Sequence, residues 1–401
     1  MSEDDARRRD AEDPGHRSLF LIPPAQGGNH EECAYFAGNS LGLQPRATRD
    51  ELLSDLDSWA TLGVEGHMDG GRPWVRYNEL LTEPAARLVG ALPEETVVMN
   101  TLTVNLHLLM VSFYRPRGER TRILIEESAF PSDRYAVRSH VRFHGLDPDL
   151  DVVATADPPA YLAAEGDKVA LVLLGGVNYL TGELLDIPRI TRAGHAAGAK
   201  VGWDLAHAAG NVPLELHAWG PDFGAWCTYK YLNSGPGALG GVFVHQRHLD
   251  DPSIQRFEGW WSTEPDTRFR MDPVCAPPKS ADAWQISNPP VYAMSPVRTS
   301  LELFDRVGMT ELRARSVRLT AYLESLLDGW CTVVTPRAPE RRGCQLSLRV
   351  PDADGLSRRL SRAHGVIADS RNPDILRLAP TPLYSTYHDC WRAAEALRKE
   401  L

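Results

Sequence analysis

The chain contains very little lysine: five lysines stand against 38 arginines in 401 residues. Because arginine carries a surface charge equally well, a lysine at a buried-looking position suggests chemistry that needs an amine able to lose its proton. Lys230 is in such a position, since it ends the run Trp226–Tyr229 and a Gly/Pro/Ser turn follows at once. Schiff-base formation is one interpretation of Lys230, and an ordinary lysine at a strand end is the other.

Long apolar runs, paired cysteine motifs and excess positive charge are also missing. No stretch of 18 apolar residues occurs, and the first residues lack the apolar core of a signal peptide, so we expect no membrane partner. The six cysteines form no CxxC pair, which argues against a zinc site or a disulfide framework. A net charge of −10 argues against a nucleic-acid partner. These features favour a cytoplasmic enzyme without a metal.

The alternation of apolar and helical patterns indicates an α/β protein with a mostly parallel sheet. The near-continuous apolar run Val169–Leu174 is typical of a parallel strand that is buried on both faces. Further strands are predicted at 201–204, 223–229 and 241–244, and a helix is predicted at 187–199 between the first two of these four strands. Residues 251–290 show no periodicity, and so long an irregular stretch is usually functional.

Three regions are predicted along the chain. Residues 1–45 form an N-terminal tail and arm, of which the charged residues 1–17 are expected to be disordered or loosely docked. Residues 46–295 form a large α/β domain. Residues 296–401 form a linking helix, perturbed near Gly308, and a small C-terminal α+β domain.

Polar residues stand where three of the predicted strands end. Asp204 and Lys230 close two strands, and Thr103 and Asn105 follow a third. Because α/β proteins bind ligands at the carboxyl ends of their parallel strands, these side chains are expected to face one crevice. Pyridoxal phosphate needs such groups: an amine for the imine, a carboxylate at the pyridine nitrogen and a helix start for the phosphate. Phe130 is available to stack on the ring.

Each of these residues also has a purely structural interpretation. Asp204 suits the N-cap of the stretch that follows it, Thr103 suits a helix cap and Phe130 suits a core position. The spacing of Asp204 and Lys230, one βαβ-like excursion apart, favours the cofactor. It does not choose among aminotransferases, lyases and cysteine desulfurases.

Several longer stretches, in order along nearly the whole chain, resemble the kynureninase family of fold-type I, aspartate aminotransferase-like pyridoxal-phosphate hydrolases. The resemblance implies pyridoxal 5'-phosphate as cofactor. It also implies hydrolysis of L-kynurenine or 3-hydroxy-L-kynurenine to L-alanine and anthranilate or 3-hydroxyanthranilate, in tryptophan catabolism and NAD biosynthesis. The matching stretches are Phe36–Pro45, Met99–Met110, Ala129–Asp133, Asp204–His207, Trp226–Asn233, Gly259–Trp260, Ile286–Pro290 and Arg377–Pro380.

The same resemblance implies roles for individual residues. Lys230 is implied as the Schiff-base lysine and catalytic base, Asp204 as the partner of the pyridinium nitrogen, and Arg377 as the clamp on the substrate α-carboxylate. Tyr229, beside Lys230, is a candidate proton relay or, alternatively, only a phosphate ligand. The other implied cofactor contacts are Leu102, Thr103, Phe130, Asp133, His207, Trp260 and Asn288. The other implied substrate contacts are Asn39, Ser40, His67, Trp261 and Asn288.

The resemblance further implies a homodimer and a preferred substrate. Trp260 and Asn288 would reach the active site near a subunit boundary. His67 and Asn288 match the pattern of animal members and favour 3-hydroxykynurenine, since a His–Asn pair can hydrogen-bond a phenol. Two positions depart from the family. Gly175 stands where serine is common and removes a hydroxyl contact, and Trp261 replaces a phenylalanine of animal members and is expected to narrow the aryl pocket.

Two alternative enzymes remain open on the sequence. The same chemistry on a ring-substituted kynurenine in secondary metabolism is compatible with the arginine bias, which suggests a GC-rich genome. A cysteine desulfurase or selenocysteine lyase of this fold would need a nucleophilic cysteine on a mobile loop, whereas Cys344 begins a strand-like run. A non-catalytic protein of this fold would be expected to lack Lys230 or Asp204, and both are present.

Overall fold

The chain folds around a seven-stranded and a four-stranded sheet, as described by a computed structural model of residues 1–401. The strands are β1 Phe20–Leu21, β2 Ala34–Tyr35, β3 Gln44–Pro45, β4 Thr96–Met99, β5 Arg122–Glu126, β6 Val152–Thr155, β7 Val169–Gly175, β8 Lys200–Asp204, β9 Phe223–Cys227, β10 Gly240–Val244, β11 Thr332–Val333, β12 Leu346–Arg349, β13 Val366–Ile367, β14 Asp369–Arg371 and β15 Ile375–Leu378. The helices are α1 Glu3–Glu12, α2 Ala47–Leu62, α3 Glu79–Val89, α4 Leu102–Phe113, α5 Pro131–Phe143, α6 Pro148–Asp151, α7 Pro158–Glu165, α8 Ile187–Ala196, α9 Leu216–Trp219, α10 Val291–Val307, α11 Met309–Leu327, α12 Ala353–His364 and α13 Tyr387–Glu400.

The larger sheet confirms the predicted α/β architecture. Its strand order is β4-β10-β9-β8-β7-β5-β6, and only β10 runs antiparallel to its neighbours. Alternate residues of β7 belong to different apolar cores: Val172 and Leu174 pack on one face of the sheet, and Leu171 and Leu173 pack on the other. This burial on both faces explains why the strand is a near-continuous apolar run.

The C-terminal part of the chain has its own core. The antiparallel sheet β11-β12-β15-β14 packs with α11, α12 and α13 around a third apolar cluster. Gly308, with φ +82°, separates α10 from α11 where the sequence predicted a perturbed helix. Helix α10 packs against α2 and α3 in the core of the larger sheet, so we propose Gly308 as the boundary in place of residue 296. The three-region division remains a proposal.

The prediction of a disordered or loosely docked tail at residues 1–17 was wrong. Helix α1 packs on α13 and buries Ala6 completely, and the Asp10 carboxylate accepts the backbone N–H groups of Tyr387 and His388 at the start of α13. The Ser2 hydroxyl caps α1 by accepting the Asp5 N–H. Charge-rich composition was misleading because these charges pair with each other and with a helix start.

Other predicted bounds shift by a few residues at places that affect the site. Strand β9 ends at Cys227, so Tyr229 and Lys230 lie in the turn after the strand, and α4 begins at Leu102. Residues 251–290 contain only short 3-10 helices, in agreement with the predicted irregular stretch. None of the helices is long and apolar enough to cross a bilayer.

Candidate active site

Eight of the residues predicted as contacts line one pocket at the carboxyl edge of the larger sheet. The edge is built by the chain reversals after β4, β5, β7, β8 and β9, each of which delivers side chains to the same place. The eight residues are Leu102, Thr103, Phe130, Asp133, Asp204, His207, Tyr229 and Lys230.

Lys230 is held by its backbone and faces a histidine with its amine. The turn is fixed by the Tyr229 carbonyl, which accepts the Gly42 N–H at 2.8 Å, and by the Lys230 carbonyl, which accepts the Asn233 N–H at 3.0 Å. The Nζ atom lies 3.0 Å from Nε2 of His207. Burial and the Lys230 charge lower the pKa of His207 well below its ordinary value. A neutral His207 therefore serves as hydrogen-bond partner of the amine.

Aromatic rings enclose the amine on two sides. Nζ of Lys230 lies 5.9 Å from the ring centroid of Phe130 and 5.9 Å from that of Tyr229. The Phe130 ring also meets the Tyr179 ring edge to face at 5.1 Å. Burial, followed by the neighbouring Cys227, raises the pKa of the Tyr229 hydroxyl well above its ordinary value. Tyr229 is therefore a neutral hydrogen-bond donor at physiological pH.

Three carboxyl groups crowd the opposite side of the pocket. Asp204 ends β8, Asp133 lies in the first turn of α5, and Glu126 ends β5. Burial, followed by the charge of Asp204, raises the pKa of Asp133 well above its usual range, and burial raises the pKa of Glu126 to about 7. Oδ1 of Asp133 is buried without a hydrogen-bond partner. A positively charged group is the ligand that such a cluster favours.

The structural alternative for Asp204 is also satisfied. Its Oδ1 accepts the Ala206 N–H at 2.7 Å, which steadies the turn after β8. The carboxylate still lines the pocket, so this local contact and a ligand contact do not exclude each other.

Two helices begin beside the pocket and carry hydroxyl groups. Helix α4 starts at Leu102 without a side-chain cap, and the Thr103 hydroxyl lies 2.8 Å from the Ser132 hydroxyl at the start of α5. Uncapped N–H groups and hydroxyls at a helix start suit a phosphate. Asn105, in contrast, donates to the Met99 carbonyl inside the fold and lies outside the pocket lining.

Sequence reasoning missed several lining residues. Ser132 lies inside the matching stretch Ala129–Asp133, so the stretch itself was the available signal. Glu126 ends the apolar run 123–125 of β5, the same signal that pointed to Asp204. Tyr179 lies in the turn after β7, and no pattern in the sequence marked it. The lining residues not predicted as contacts are Thr101, Glu126, Ser132, Gly175, Val177 and Tyr179.

Arg377 and Ser40 lie in a charged network behind Tyr179. The Arg377 guanidinium donates from Nη1 to the Tyr179 carbonyl at 2.7 Å and from Nη2 to the Ser40 hydroxyl at 3.1 Å, and it pairs with Asp369. Arg371 pairs with the same Asp369 carboxylate. Two guanidinium groups thus share one carboxylate, which leaves one net positive charge behind the wall of the pocket.

Asn39 is fully buried, and its side-chain amide donates to Oε1 of Gln345 at 2.9 Å. Its own Oδ1 has no partner, so Asn39 retains one free acceptor.

Four predicted contacts lie away from the pocket of their own chain. His67 is exposed and packs edge to face on Trp74 at 5.1 Å, and Asn288 is exposed. Trp260 is partly exposed. Trp261 is buried, and Cζ of Arg268 lies 3.9 Å from the centroid of its ring. None of these four lines the pocket.

Two other places with reactive side chains do not suit catalysis. Cys344 is fully buried, and burial raises the pKa of its thiol to about 12, so it is not an exposed nucleophile. Glu95, His217 and His245 come together at the opposite edge of the sheet. The Glu95 carboxylate already accepts the backbone N–H groups of Leu92 and Gln246, so it serves to hold loops together.

The fold together with this arrangement of amine, carboxyl groups and helix starts defines a pyridoxal-phosphate-dependent enzyme of fold type I. A solved structure of the C-DES enzyme, with glycine covalently linked to its pyridoxal-phosphate cofactor, superimposes with a TM-score of 0.77 at 16% identity and covers 91% of this chain and 96% of that one. At such low identity this likeness shows the fold alone.

Relatives in sequence identify the family. The model of the kynureninase C-terminal domain matches residues 312–397. A kynureninase of Salinispora tropica is 68% identical, over 98% of this chain and 96% of that protein. A kynureninase of Myxococcus xanthus is 53% identical, over 99% of this chain and 96% of that protein. The chain belongs to the kynureninase family, and it is an enzyme of that hydrolase family.

Proposed function

We propose that this enzyme uses pyridoxal 5'-phosphate to hydrolyse L-kynurenine or 3-hydroxy-L-kynurenine, giving L-alanine and anthranilate or 3-hydroxyanthranilate. The observation that carries the proposal is the Lys230 amine, 3.0 Å from a neutral His207 and in one pocket with Asp204 and Asp133. Two nearly full-length relatives named kynureninase support it. The reaction breaks the Cβ–Cγ bond and consumes one water, and it would belong to tryptophan catabolism.

The residues present fit the cofactor. Lys230 would attach it covalently, and Asp204, with the unpartnered Oδ1 of Asp133 nearby, would face its cationic ring nitrogen. Phe130 would stack on the ring. The helix starts at Leu102 and Thr103, with the Ser132 hydroxyl, would hold the phosphate. When bound, the cofactor supplies an electron sink for charge that develops beside the substrate amino group.

The proton movements fall to residues around Lys230. The Lys230 amine, once released, would remove the substrate Cα proton, and His207 would orient the amine through its Nε2 atom. Tyr229 would act either as a donor to the phosphate or as the relay that returns a proton later in the reaction. The raised pKa of its hydroxyl supports both interpretations, because each needs a neutral phenol that donates.

Arg377 would bind the substrate α-carboxylate. Its guanidinium lies directly behind Tyr179, with Ser40 beside it and Asn39 in the neighbouring turn. The Asp369 carboxylate occupies part of the Arg377 guanidinium. Because Arg371 pairs with the same carboxylate, the network retains one positive charge for a substrate anion.

We further propose a homodimer in which the partner subunit completes the aryl end of the site. The positions of His67, Trp260 and Asn288, exposed and outside the pocket of their own chain, support this arrangement. A His67–Asn288 pair from the partner would favour 3-hydroxykynurenine by hydrogen-bonding its phenol. A cytoplasmic location is supported by six unpaired cysteines, since reducing compartments keep thiols free.

The decisive experiment is turnover of both kynurenines by the purified protein. We expect alanine to form from each substrate together with the fluorescent aryl product, with a higher kcat/KM for 3-hydroxykynurenine. No turnover of either substrate would contradict the proposed reaction, whereas a clear preference for unsubstituted kynurenine would contradict only the role of His67 and Asn288. A desulfurase reaction through Cys344 is not expected, because Cys344 is buried.

A further inference from the structure

Glu126 connects two strands at the floor of the pocket. It is the last residue of β5, and its two carboxylate oxygens accept the backbone N–H of Gly175, the last residue of β7, each at 3.2 Å from the nitrogen. Gly175 is paired in register with Asp204 on β8. The Glu126 carboxyl group therefore holds the strand end that stands directly beside Asp204.

Gly175 is the residue that leaves room for this carboxyl group. A Cβ atom added at Gly175 would lie 2.9 Å from Oε1 of Glu126, closer than side chains pack. The backbone of Gly175 does not need glycine, because it has no left-handed φ. The space above Gly175 thus decides where the Glu126 side chain can lie.

The charges that face Glu126 come from several elements. Asp204 and Asp133 repel its ionised form, Arg134 attracts it weakly, and the Lys230 amine lies in the same pocket. Burial raises the pKa of Glu126 to about 7, so the group is neutral in mild acid and ionised in mild base. The ionised form adds to the attraction of the pocket for a cation.

We propose that Glu126 is a positioning residue of the cofactor site, which locks β7 beside Asp204 and adds a third carboxyl group to the Asp133–Asp204 pair that faces the cationic ring. This inference rests on the proposed cofactor role of the pocket. It assigns to Glu126 a contribution to cofactor affinity that depends on both its hydrogen bond and its charge.

The test is titration of the cofactor-free protein with pyridoxal phosphate, followed by absorbance, between pH 6 and pH 8. Glu126→Gln keeps an acceptor for the Gly175 N–H and removes the charge. We expect its Kd to match that of the natural protein near pH 6 and to be raised about tenfold at pH 8, where the natural Glu126 is ionised. Glu126→Ala removes the hydrogen bond as well, and its Kd is expected to be raised at both pH values.

The substitution Gly175→Ala is an independent test of the same inference. Its methyl group should displace the Glu126 carboxyl group and raise Kd several-fold, yet it should have little effect in a Glu126→Ala background, because the displaced group is then gone. Additive effects of the two substitutions, or an unchanged Kd and pH dependence in Glu126→Gln, would overturn the inference. If Glu126→Ala does not fold, as judged by thermal unfolding, Glu126→Gln and Gly175→Ala carry the test. Failure of the natural protein itself to bind pyridoxal phosphate would instead overturn the proposed function.

Discussion

Nζ of Lys230 lies 3.0 Å from Nε2 of His207, and burial holds the pKa of this histidine well below its ordinary value. The two residues come from different strand ends, since His207 follows β8 and Lys230 follows β9. Burial keeps the imidazole uncharged next to an amine, so His207 can accept a proton shared with Lys230 without repelling it.

The substitution His207→Gln should lower kcat about 10- to 100-fold, by loss of one hydrogen bond to a charged partner, and leave the acid limb of the pH–rate profile in place. The reason is that the pKa of His207 is already below the working range, so the histidine does not titrate there. Rate profiles from pH 5 to pH 9 check this. A shifted acid limb would show that His207 changes charge during turnover. The matched control is His144→Gln, at an exposed histidine, and it should leave kcat and its pH dependence unchanged.

The substitution Lys230→Ala should abolish the visible band of the bound cofactor at about 420 nm and lower turnover about a thousandfold or more. Lys230 is the only lysine in the pocket, so no neighbouring amine can replace it. Absorbance spectra and alanine release are the measurements. Lys279→Ala, which removes an exposed lysine paired with Asp250, serves as control. Undiminished turnover in Lys230→Ala would rule out the scheme.

The substitution Arg377→Lys should raise KM about 10- to 100-fold with a smaller change in kcat, because an ammonium group cannot form the two parallel hydrogen bonds of a guanidinium fork. Steady-state kinetics with kynurenine measure the effect. The exposed Arg349→Lys, which alters only a surface pair with Asp374, is the control. An unchanged KM would remove Arg377 from the substrate clamp. Thermal unfolding separates this from a loss of fold, since Arg377 is buried.

A mixed dimer of Asn288→Ala and Lys230→Ala subunits tests whether Asn288 serves the partner's site. If it does, the site that contains the substituted Lys230 also receives the substituted Asn288. The other site then has a natural Lys230 and a natural Asn288, and it is intact. Isolated mixed dimers should then have about half of the natural activity, although each parent variant is strongly impaired. Differently tagged, co-expressed subunits allow the purification. Activity no higher than that of the Asn288→Ala parent would place Asn288 in the site of its own chain.

The substitution Asp222→Asn should destabilise the protein by about 3–5 kcal/mol without changing KM, because it removes a buried charge far from the pocket. Burial alone would raise the pKa of Asp222, but hydrogen bonds from His195 and His248, together with Lys200 and Arg247, hold it well below its usual range.

Because this pKa is lower in the folded chain, the stabilisation is present above the ordinary aspartate pKa of about 4 and is lost as the pH falls below it. The difference in unfolding free energy between the natural protein and Asp222→Asn should therefore shrink from pH 5 towards pH 2. A constant difference would contradict the charge-based account. The exposed Asp250→Asn should change stability by less than about 0.5 kcal/mol.

Much of the fold was predictable because its signals are local. The apolar run of β7 marks a strand buried on both faces, and Gly308 marks the end of α10. The helix α1 was not predictable from composition, because its stability comes from contacts with α13, nearly four hundred residues along the chain, and not from its own apolar content.

The sequence by itself determined four residues of the pocket lining: Lys230, Asp204, Thr103 and Phe130 stand at strand ends or helix starts, and such positions follow from chain-local patterns. Tertiary structure alone decided which further groups meet them. Glu126 reaches Gly175 only because β5 and β7 are neighbours in the sheet, and His207 reaches Lys230 only because β8 and β9 are. Strand order is set by long-range packing of apolar faces, which no local pattern encodes. The resemblance implied that His67 and Asn288 contact the substrate. For the same reason it could not show that they lie outside the pocket of their own chain.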